Sequence, residues 1–262
     1  TVGTIFLVCE KKTAYVAYFI LLDGDRGSEC ARFLEKQIPL YLKKRLQKIP
    51  SLKDENKDLE IINSLKLLGP RLNQSYARYR WRQESSSLAT STALVCLLHE
   101  RTLYTANIGD SRAIFVSSTK IVALSEDANP TIPKYRIGVE KRGGRVVWQD
   151  AKKKWVVQHD RLQETPTVAR SIGYNESHSG INPRATVTKI KLTDKGHFVM
   201  ASKGIWSALT CEQVAAWIRC TLVEKPKQPA QVFAATLVRL AHSEGTPYNR
   251  SVLVIEFSPL SS

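Results

Sequence analysis

The stretch that decides the fold lies near the middle of the chain and reads Ala106-Asn107-Ile108-Gly109-Asp110-Ser111-Arg112-Ala113. Short runs rich in β-branched residues lie on both sides of it, and the polar residues between these runs are typical of turns. The runs cover residues 92–98, 103–108, 113–116 and 121–124. They predict neighbouring strands of an antiparallel sheet.

Two helices are predicted before this block. Apolar residues recur every three or four positions over 28–48 and again over 59–79, as in amphipathic helices that pack as an antiparallel pair. We expect Pro39 to bend or interrupt the first helix, because proline removes a backbone donor. We expect Gly69 and Pro70 to break the second.

The region after the block again separates strands from helices. A hairpin with a basic tip is predicted from 145–148 and 155–158, and further strands are predicted at 186–192, 197–201 and 251–257. Thr210 and Gln213 form a capping box that starts one helix, and Pro229 opens another. Strands and helices in separate blocks favour two antiparallel sheets covered by helix pairs, an α+β architecture.

Composition narrows the class of protein. The 262 residues are 43% hydrophobic, which suits one domain spanning 1–262, and no apolar run approaches the roughly 20 residues of a membrane span. Five scattered cysteines indicate a reducing compartment, so we expect an intracellular protein, cytoplasmic or nuclear. The formal net charge of +15 would attract phosphoproteins, anionic membranes or nucleic acid without specifying one. Since the sequence starts at Thr1, we expect that an N-terminal segment is missing.

Seven segments in the same order resemble the signature blocks of the type 2C metal-dependent serine/threonine protein phosphatases. They are residues 20–27 (Ile-Leu-Leu-Asp-Gly-Asp-Arg-Gly), 91–93 (Ser-Thr-Ala), 106–113, 124–130 with 143–146, 168–173 (Val-Ala-Arg-Ser-Ile-Gly), 201–206 (Ala-Ser-Lys-Gly-Ile-Trp) and 248–252 (Tyr-Asn-Arg-Ser-Val). The resemblance implies a four-layer sandwich, in which two antiparallel β-sheets pack face to face between pairs of antiparallel helices.

The resemblance also implies a catalytic centre of two Mn²⁺ or Mg²⁺ ions held by three aspartates. Asp23 matches the bridging aspartate, and Gly24 would offer its carbonyl, but Lys203 and Tyr248 stand where the other two aspartates are expected. Hard divalent cations prefer carboxylate oxygens, and an ammonium in their coordination shell would repel them. We therefore expect no dinuclear centre, no metal cofactor and no catalytic residues.

Three further positions depart from the family pattern. Asp25 stands where the family has a histidine that is a candidate general acid, Tyr174 replaces an aspartate, and Ser207 replaces an acidic residue after the tryptophan. The residues that match the pattern are mostly glycines and polar residues of turns. This pattern indicates that the fold is kept and the ligands are lost.

We predict how the degenerate pocket is filled. The Lys203 ammonium should lie close to Asp23, since both positions converge on one metal centre in the family, and Tyr248 should fill the space that the ions leave. Asp110 and Arg112 should form a polar network that supports the neighbouring loops.

The leading hypothesis is a pseudophosphatase that binds or regulates a protein partner, such as a kinase or a phosphoprotein, through the basic segment 40–57. An enzyme with a rearranged metal set is the first alternative. The second is a basic adaptor for nucleic acid or acidic membranes, suggested by Lys43, Lys44, Arg45, Lys48 and the run Arg78, Arg80 and Arg82. It ranks last because no aromatic platform or groove-reading element accompanies the charges, so no specific nucleic acid is expected. The sequence leaves the partner's identity and the oligomeric state open.

Overall fold

A computed structural model describes residues 2–8, 15–47, 56–160, 162, 165–174 and 179–258. The strands are β1 (Val2–Val8), β2 (Tyr15–Asp25), β3 (Thr90–His99), β4 (Thr102–Ile108), β5 (Arg112–Ser117), β6 (Ile121–Ala123), β7 (Arg145–Gln149), β8 (Lys154–Gln158), β9 (Thr186–Lys191), β10 (Gly196–Ala201) and β11 (Val252–Phe257). The helices are α1 (Glu29–Leu46), α2 (Lys57–Arg82), α3 (Pro133–Glu140), α4 (Lys203–Trp206), α5 (Cys211–Glu224) and α6 (Ala230–Ser243).

Two antiparallel sheets form the centre of the molecule. The larger has the strand order β1-β2-β3-β4-β9, and the smaller has the order β11-β10-β5-β6. Their facing surfaces bury one apolar layer, in which the Phe19 and Phe198 ring centroids lie 5.9 Å apart. Side chains alternate across a strand, so Ile20 points to the opposite face of β2 from Phe19.

Helices cover the outer faces of both sheets. On the larger sheet α1 and α2 bury a row of leucines and isoleucines together with Tyr18 and Tyr104. On the smaller sheet α5 and α6 bury Ile218, Phe233 and Leu237 against β5 and β10. The predicted α+β fold, a four-layer sandwich, is confirmed.

The predicted interruption at Pro39 and the predicted break at Gly69 and Pro70 are wrong. α1 continues through Pro39, with Ile38 and Leu42 fully buried on either side, so packing outweighs the lost hydrogen bond. α2 continues through Gly69 and Pro70. A Cβ atom on Gly69 would lie 1.7 Å from the Pro183 carbonyl oxygen, so this glycine permits close approach of another segment and does not end the helix.

The C-terminal half matches the sequence prediction closely. The capping box of Thr210 and Gln213 starts α5, and β7 and β8 form the predicted hairpin. The short helices α3 and α4 were not predicted. Of the basic segment 40–57, residues 48–55 lie outside the described residues. None of the described helices has the length and apolar character needed to cross a bilayer.

Candidate functional site

The predicted pocket lies at one edge of the two sheets. Asp23 and Gly24, near the end of β2, pair with Thr92 and Ser91 of β3. At the same edge of the smaller sheet Ala201 pairs with both Arg112 and Val252. The turn before β5, the segment after β10 and the loop before β11 therefore meet there and enclose a cavity of about 630 Å³.

Lys203 points into this cavity. Its Nζ lies 2.8 Å from Asp110 Oδ2 and donates a hydrogen bond to Thr167 Oγ1 over 2.8 Å. The side chains of Lys203 and Asp110 are only 26% and 15% exposed. Burial alone would lower the pKa of the ammonium, but the Asp110 carboxylate outweighs it and the net shift is upward. Lys203 therefore stays protonated inside the pocket and does not extend into solvent.

The partner of this ammonium differs from the prediction. We expected Lys203 to lie beside Asp23, but the salt bridge is with Asp110. Asp23 feels the ammonium at longer range, since Lys203 still lowers the pKa of the Asp23 carboxyl. The turn that carries Asp110 immediately precedes β5, and it brings this carboxylate nearer to the lysine than the end of β2 does.

The predicted Asp110–Arg112 network is also wrong. Arg112 Nη2 and Nε donate to the two carboxylate oxygens of Asp127 over 2.7 and 3.1 Å, and the guanidinium lies 5.3 Å from the Trp206 ring. Arg112 thus supports the loop of Asp127, and Asp110 faces the cavity. The sequence predicted that Asp110 only supports the neighbouring loops, because nothing in its turn shows which way its side chain points.

Asp23 is the other acidic group close to the cation. Burial, followed by the neighbouring Asp110 carboxylate, raises the pKa of Asp23 to about 6 from its ordinary 3.8, and Lys203 offsets only part of this. The Lys203 ammonium therefore interacts with two carboxylates of the pocket. It forms a salt bridge with Asp110 and has only a longer-range attraction for Asp23.

Asp23→Asn is expected to raise the free energy of unfolding near pH 8 by about 1–2 kcal/mol, less than the full pKa shift implies because Asp23 is partly exposed. The folded protein holds this proton until about pH 6, whereas the unfolded chain loses it near 3.8. The contribution of protonated Asp23 to the free energy of unfolding is thus fully present below about pH 4, and it is lost as the pH rises through about 6. Urea unfolding near pH 8 and pH 4 measures the difference. An equal effect at both pH values would contradict the pKa, and Asp160→Asn, at a carboxylate that is 87% exposed, is the control.

Tyr248 fills part of the cavity, between two lysines. The Lys203 and Lys154 Nζ atoms lie 5.2 and 5.8 Å from the centroid of its ring, and Lys154 Nζ donates to the Tyr248 hydroxyl over 3.4 Å. Lys154 comes from the predicted basic tip of the β7–β8 hairpin. The hairpin extends over the pocket, where Gln149 and Lys154 line the cavity, and it supplies a second cation.

The remaining predicted positions are divided between the pocket and the surface. Asp25 lines the cavity with a side chain that is 66% exposed, 3.6 Å from Arg26. Tyr174 is buried, lines the cavity and lies under the Arg26 guanidinium at 4.9 Å. Ser207 is exposed at the end of α4 and is not part of the cavity wall.

The side chains of the pocket offer few anionic ligands. Among the described residues there is no group of three or more histidine, cysteine, aspartate or glutamate side chains placed to hold a metal ion. The carboxylates nearest the centre are Asp23 and Asp110, and the Lys203 ammonium already contacts the second.

Comparison with known proteins gives one consistent result. The family model of protein phosphatase 2C matches residues 7–249. The chain is 29% identical to probable protein phosphatase 2C 55 of Oryza sativa subsp. japonica over 92% of this chain and 58% of that protein. It is also 29% identical to the mitochondrial protein phosphatase 1K of Xenopus laevis, over 94% of this chain and 62% of that protein. The chain therefore spans about three fifths of the length of these relatives.

Solved structures agree in fold. The serine-threonine phosphatase 2C of Toxoplasma gondii superposes with a TM-score of 0.76 at 14% identity, covering 98% of this chain and 94% of that one. A Caenorhabditis elegans sex determining protein superposes with a TM-score of 0.74 at 18% identity, covering 99% and 65%. At these identities the likeness concerns the fold alone.

Proposed function

The chain belongs to the protein phosphatase 2C family, and we propose that it is a catalytically inactive member that binds and regulates a protein partner. The observation that carries this proposal is the ion pair between Lys203 and Asp110 inside the pocket. The pocket already contains its own cation, attached to the chain, at the place where the family resemblance puts divalent ions.

The ligands that remain do not fit two divalent cations. The central groups are the carboxylates of Asp23 and Asp110, the Lys203 ammonium and the ring of Tyr248. A divalent ion about 4 Å from the ammonium would be repelled by roughly 8 kcal/mol at an effective dielectric constant of about 20. Water activation by metal ions is therefore not part of the proposed function, and we propose that the protein works without a metal cofactor.

A weakly active enzyme with a rearranged metal set is the second candidate. Asp23, Asp25 and Asp110 still line an open cavity, and the relatives named above are phosphatases. This candidate requires Lys203 to leave Asp110, which would expose two neighbouring carboxylates to each other. The paired arrangement favours the inactive protein.

A kinase or a phosphoprotein remains the proposed kind of partner. An Arabidopsis thaliana relative, 28% identical, is named a protein kinase and PP2C-like domain-containing protein. We also propose an intracellular location, which the free thiols of Cys30, Cys96, Cys211 and Cys220 support.

We expect no Mn²⁺- or Mg²⁺-dependent release of phosphate from phosphoserine or phosphothreonine peptides, because the internal ammonium holds the metal position. The measurement compares the wild-type protein with Asp23→Ala, with an active protein phosphatase 2C relative as the positive control. Release that requires metal and disappears in Asp23→Ala would establish the second candidate. A trace of release that persists in Asp23→Ala would come from a contaminant.

A further inference from the structure

A second cavity lies beside the pocket, along the C-terminal half of α2. Its volume is about 760 Å³, and Tyr174 lines both cavities. One wall is a single helical face of α2, because its lining residues recur at helical spacing. They are Pro70, Asn73, Gln74, Ala77, Arg80 and Trp81, with Tyr76 beside them. We call this cavity the α2 groove.

The opposite wall is held in place by hydrogen bonds from α2. Asn73 Oδ1 accepts the backbone N–H of Gly173 over 2.8 Å, and its Nδ2 donates to the Tyr174 carbonyl over 3.1 Å. These hydrogen bonds fix the wall at Gly173 and Tyr174 before any ligand binds. A ligand would therefore not lose binding free energy to the ordering of these two residues.

The groove contains an aromatic side chain with little cover and a cation beside it. Trp81 is 81% exposed, although tryptophan is usually well buried on average. Arg80 lines the groove, its guanidinium lies 6.0 Å from the Tyr76 ring, and its Nε has no hydrogen-bond partner in the described part of the chain. Arg80 lines the groove and forms no salt bridge with a described carboxylate, so a carboxylate of a ligand in the groove would give this guanidinium an ion-pair partner.

Further cations border the groove. Arg71, Arg78 and Arg82 are exposed on α2, and spacings of seven and four residues place them on one stripe next to the lining face. Of the described acidic groups nearby, the Glu29 carboxylate already accepts the Ser85 hydroxyl over 3.1 Å, and Glu84 is exposed just beyond the helix. The charge along this side of α2 is therefore mainly positive.

We propose that the α2 groove binds an acidic linear segment of a protein partner, with an apolar or aromatic residue of that segment packed on Trp81 and a carboxylate on Arg80. Tryptophan and arginine are the residues most enriched where interfaces concentrate binding free energy. The stripe of Arg71, Arg78 and Arg82 would attract the remaining acidic residues and speed the encounter.

The shape favours a peptide over the other anionic ligands. A bilayer surface is broad and would contact only the rim, leaving the concave wall of Asn73, Gln74 and Tyr174 empty. A nucleic acid strand needs cations along its path and successive aromatic platforms, whereas in the described residues the groove itself holds one guanidinium, Arg80, and one exposed indole, Trp81.

The test selects from a library of random short peptides displayed on phage, with the full chain as target. Enriched peptides should be acidic and carry an aromatic or large apolar residue. Fluorescence anisotropy should then show binding weakened about tenfold or more by Trp81→Ala and by Arg80→Glu. Arg80 contacts the core, so its substitution could also affect folding. The second variant therefore changes two exposed residues, Arg78→Glu with Arg82→Glu. It should weaken peptide binding and make the remaining binding less sensitive to salt. Trp148→Ala, at an indole that is 47% exposed elsewhere, and Arg239→Glu are the matched controls and should have no effect.

Several results would overturn the inference. One is a selection that enriches no acidic peptides, and another is peptide binding that the α2 variants leave unchanged. In a third, the protein binds no peptide but binds single-stranded RNA or phosphatidylserine vesicles, and the α2 variants abolish that binding. The inference rests on the proposed binding function, but phosphate release tests inactivity separately. Activity together with groove-dependent peptide binding would refute only the proposed inactivity.

Discussion

Replacing Lys203 with methionine is expected to lower the free energy of unfolding at neutral pH by about 2–4 kcal/mol. Methionine keeps most of the length of the side chain but removes the charge that faces Asp110 at 2.8 Å. Asp110, 15% exposed, would keep a carboxylate without its ion pair, next to a second carboxylate at Asp23. Urea unfolding measures the loss.

A double-mutant cycle separates charge pairing from packing. Asp110→Asn should cost little stability when Lys203 is already methionine, so the two substitutions should couple by about 1–3 kcal/mol. Lys195→Met is the matched control, because Lys195 is 66% exposed and its pair with Glu256 should be worth less than about 1 kcal/mol. If Lys203→Met cost no more than Lys195→Met, the ammonium would not be what stabilises the pocket.

Lys203→Asp combined with Tyr248→Asp is expected to create Mn²⁺ binding where the wild-type protein has none. Five carboxylates would then line the cavity, because the two new side chains join Asp23, Asp25 and Asp110, and the ammonium and the aromatic ring would be gone. A ligand at 100 times its dissociation constant stabilises the folded state by about 2.7 kcal/mol. Thermal unfolding with and without Mn²⁺ should therefore show a clear rise in midpoint, and calorimetry should give a saturable isotherm.

The single substitutions identify the barrier to metal binding. Tyr248→Asp alone leaves the ammonium on Asp110, and Lys203→Asp alone leaves the Tyr248 ring in the cavity, so each should bind at least about tenfold more weakly than the pair. If Tyr248→Asp alone bound Mn²⁺ as tightly as the double variant, repulsion by Lys203 would not be the obstacle. If the double variant bound none, the geometry of the pocket would have diverged as well as its ligands.

The sheets were predictable because their signals are local. β-branched runs between turn residues located β3, β4, β5 and β10, and the capping box located the start of α5. The errors at Pro39 and Gly69 have a tertiary cause. Burial of Ile38 and Leu42 outweighs one missing hydrogen bond, and the demand for glycine at position 69 comes from Pro183, over a hundred residues away.

The sequence predicted part of the set of residues that line the site, but not how they pair. Asp23, Lys203 and Tyr248 do line one cavity, as the family resemblance implied. The sequence could not show that Asp110 would turn its carboxylate toward Lys203, or that Arg112 would pair with Asp127. Lys154 was equally hidden, because its contact with Tyr248 depends on how the β7–β8 hairpin folds over the pocket.

The most direct test of the central claim, that Lys203 holds the place of the divalent ions, is a calorimetric titration of the wild-type protein with Mn²⁺. The internal ammonium predicts no saturable heat and no change in the midpoint of thermal unfolding at millimolar metal. Saturable binding of two Mn²⁺ ions that Asp23→Ala abolishes would contradict this claim and would show that the pocket is a working metal centre.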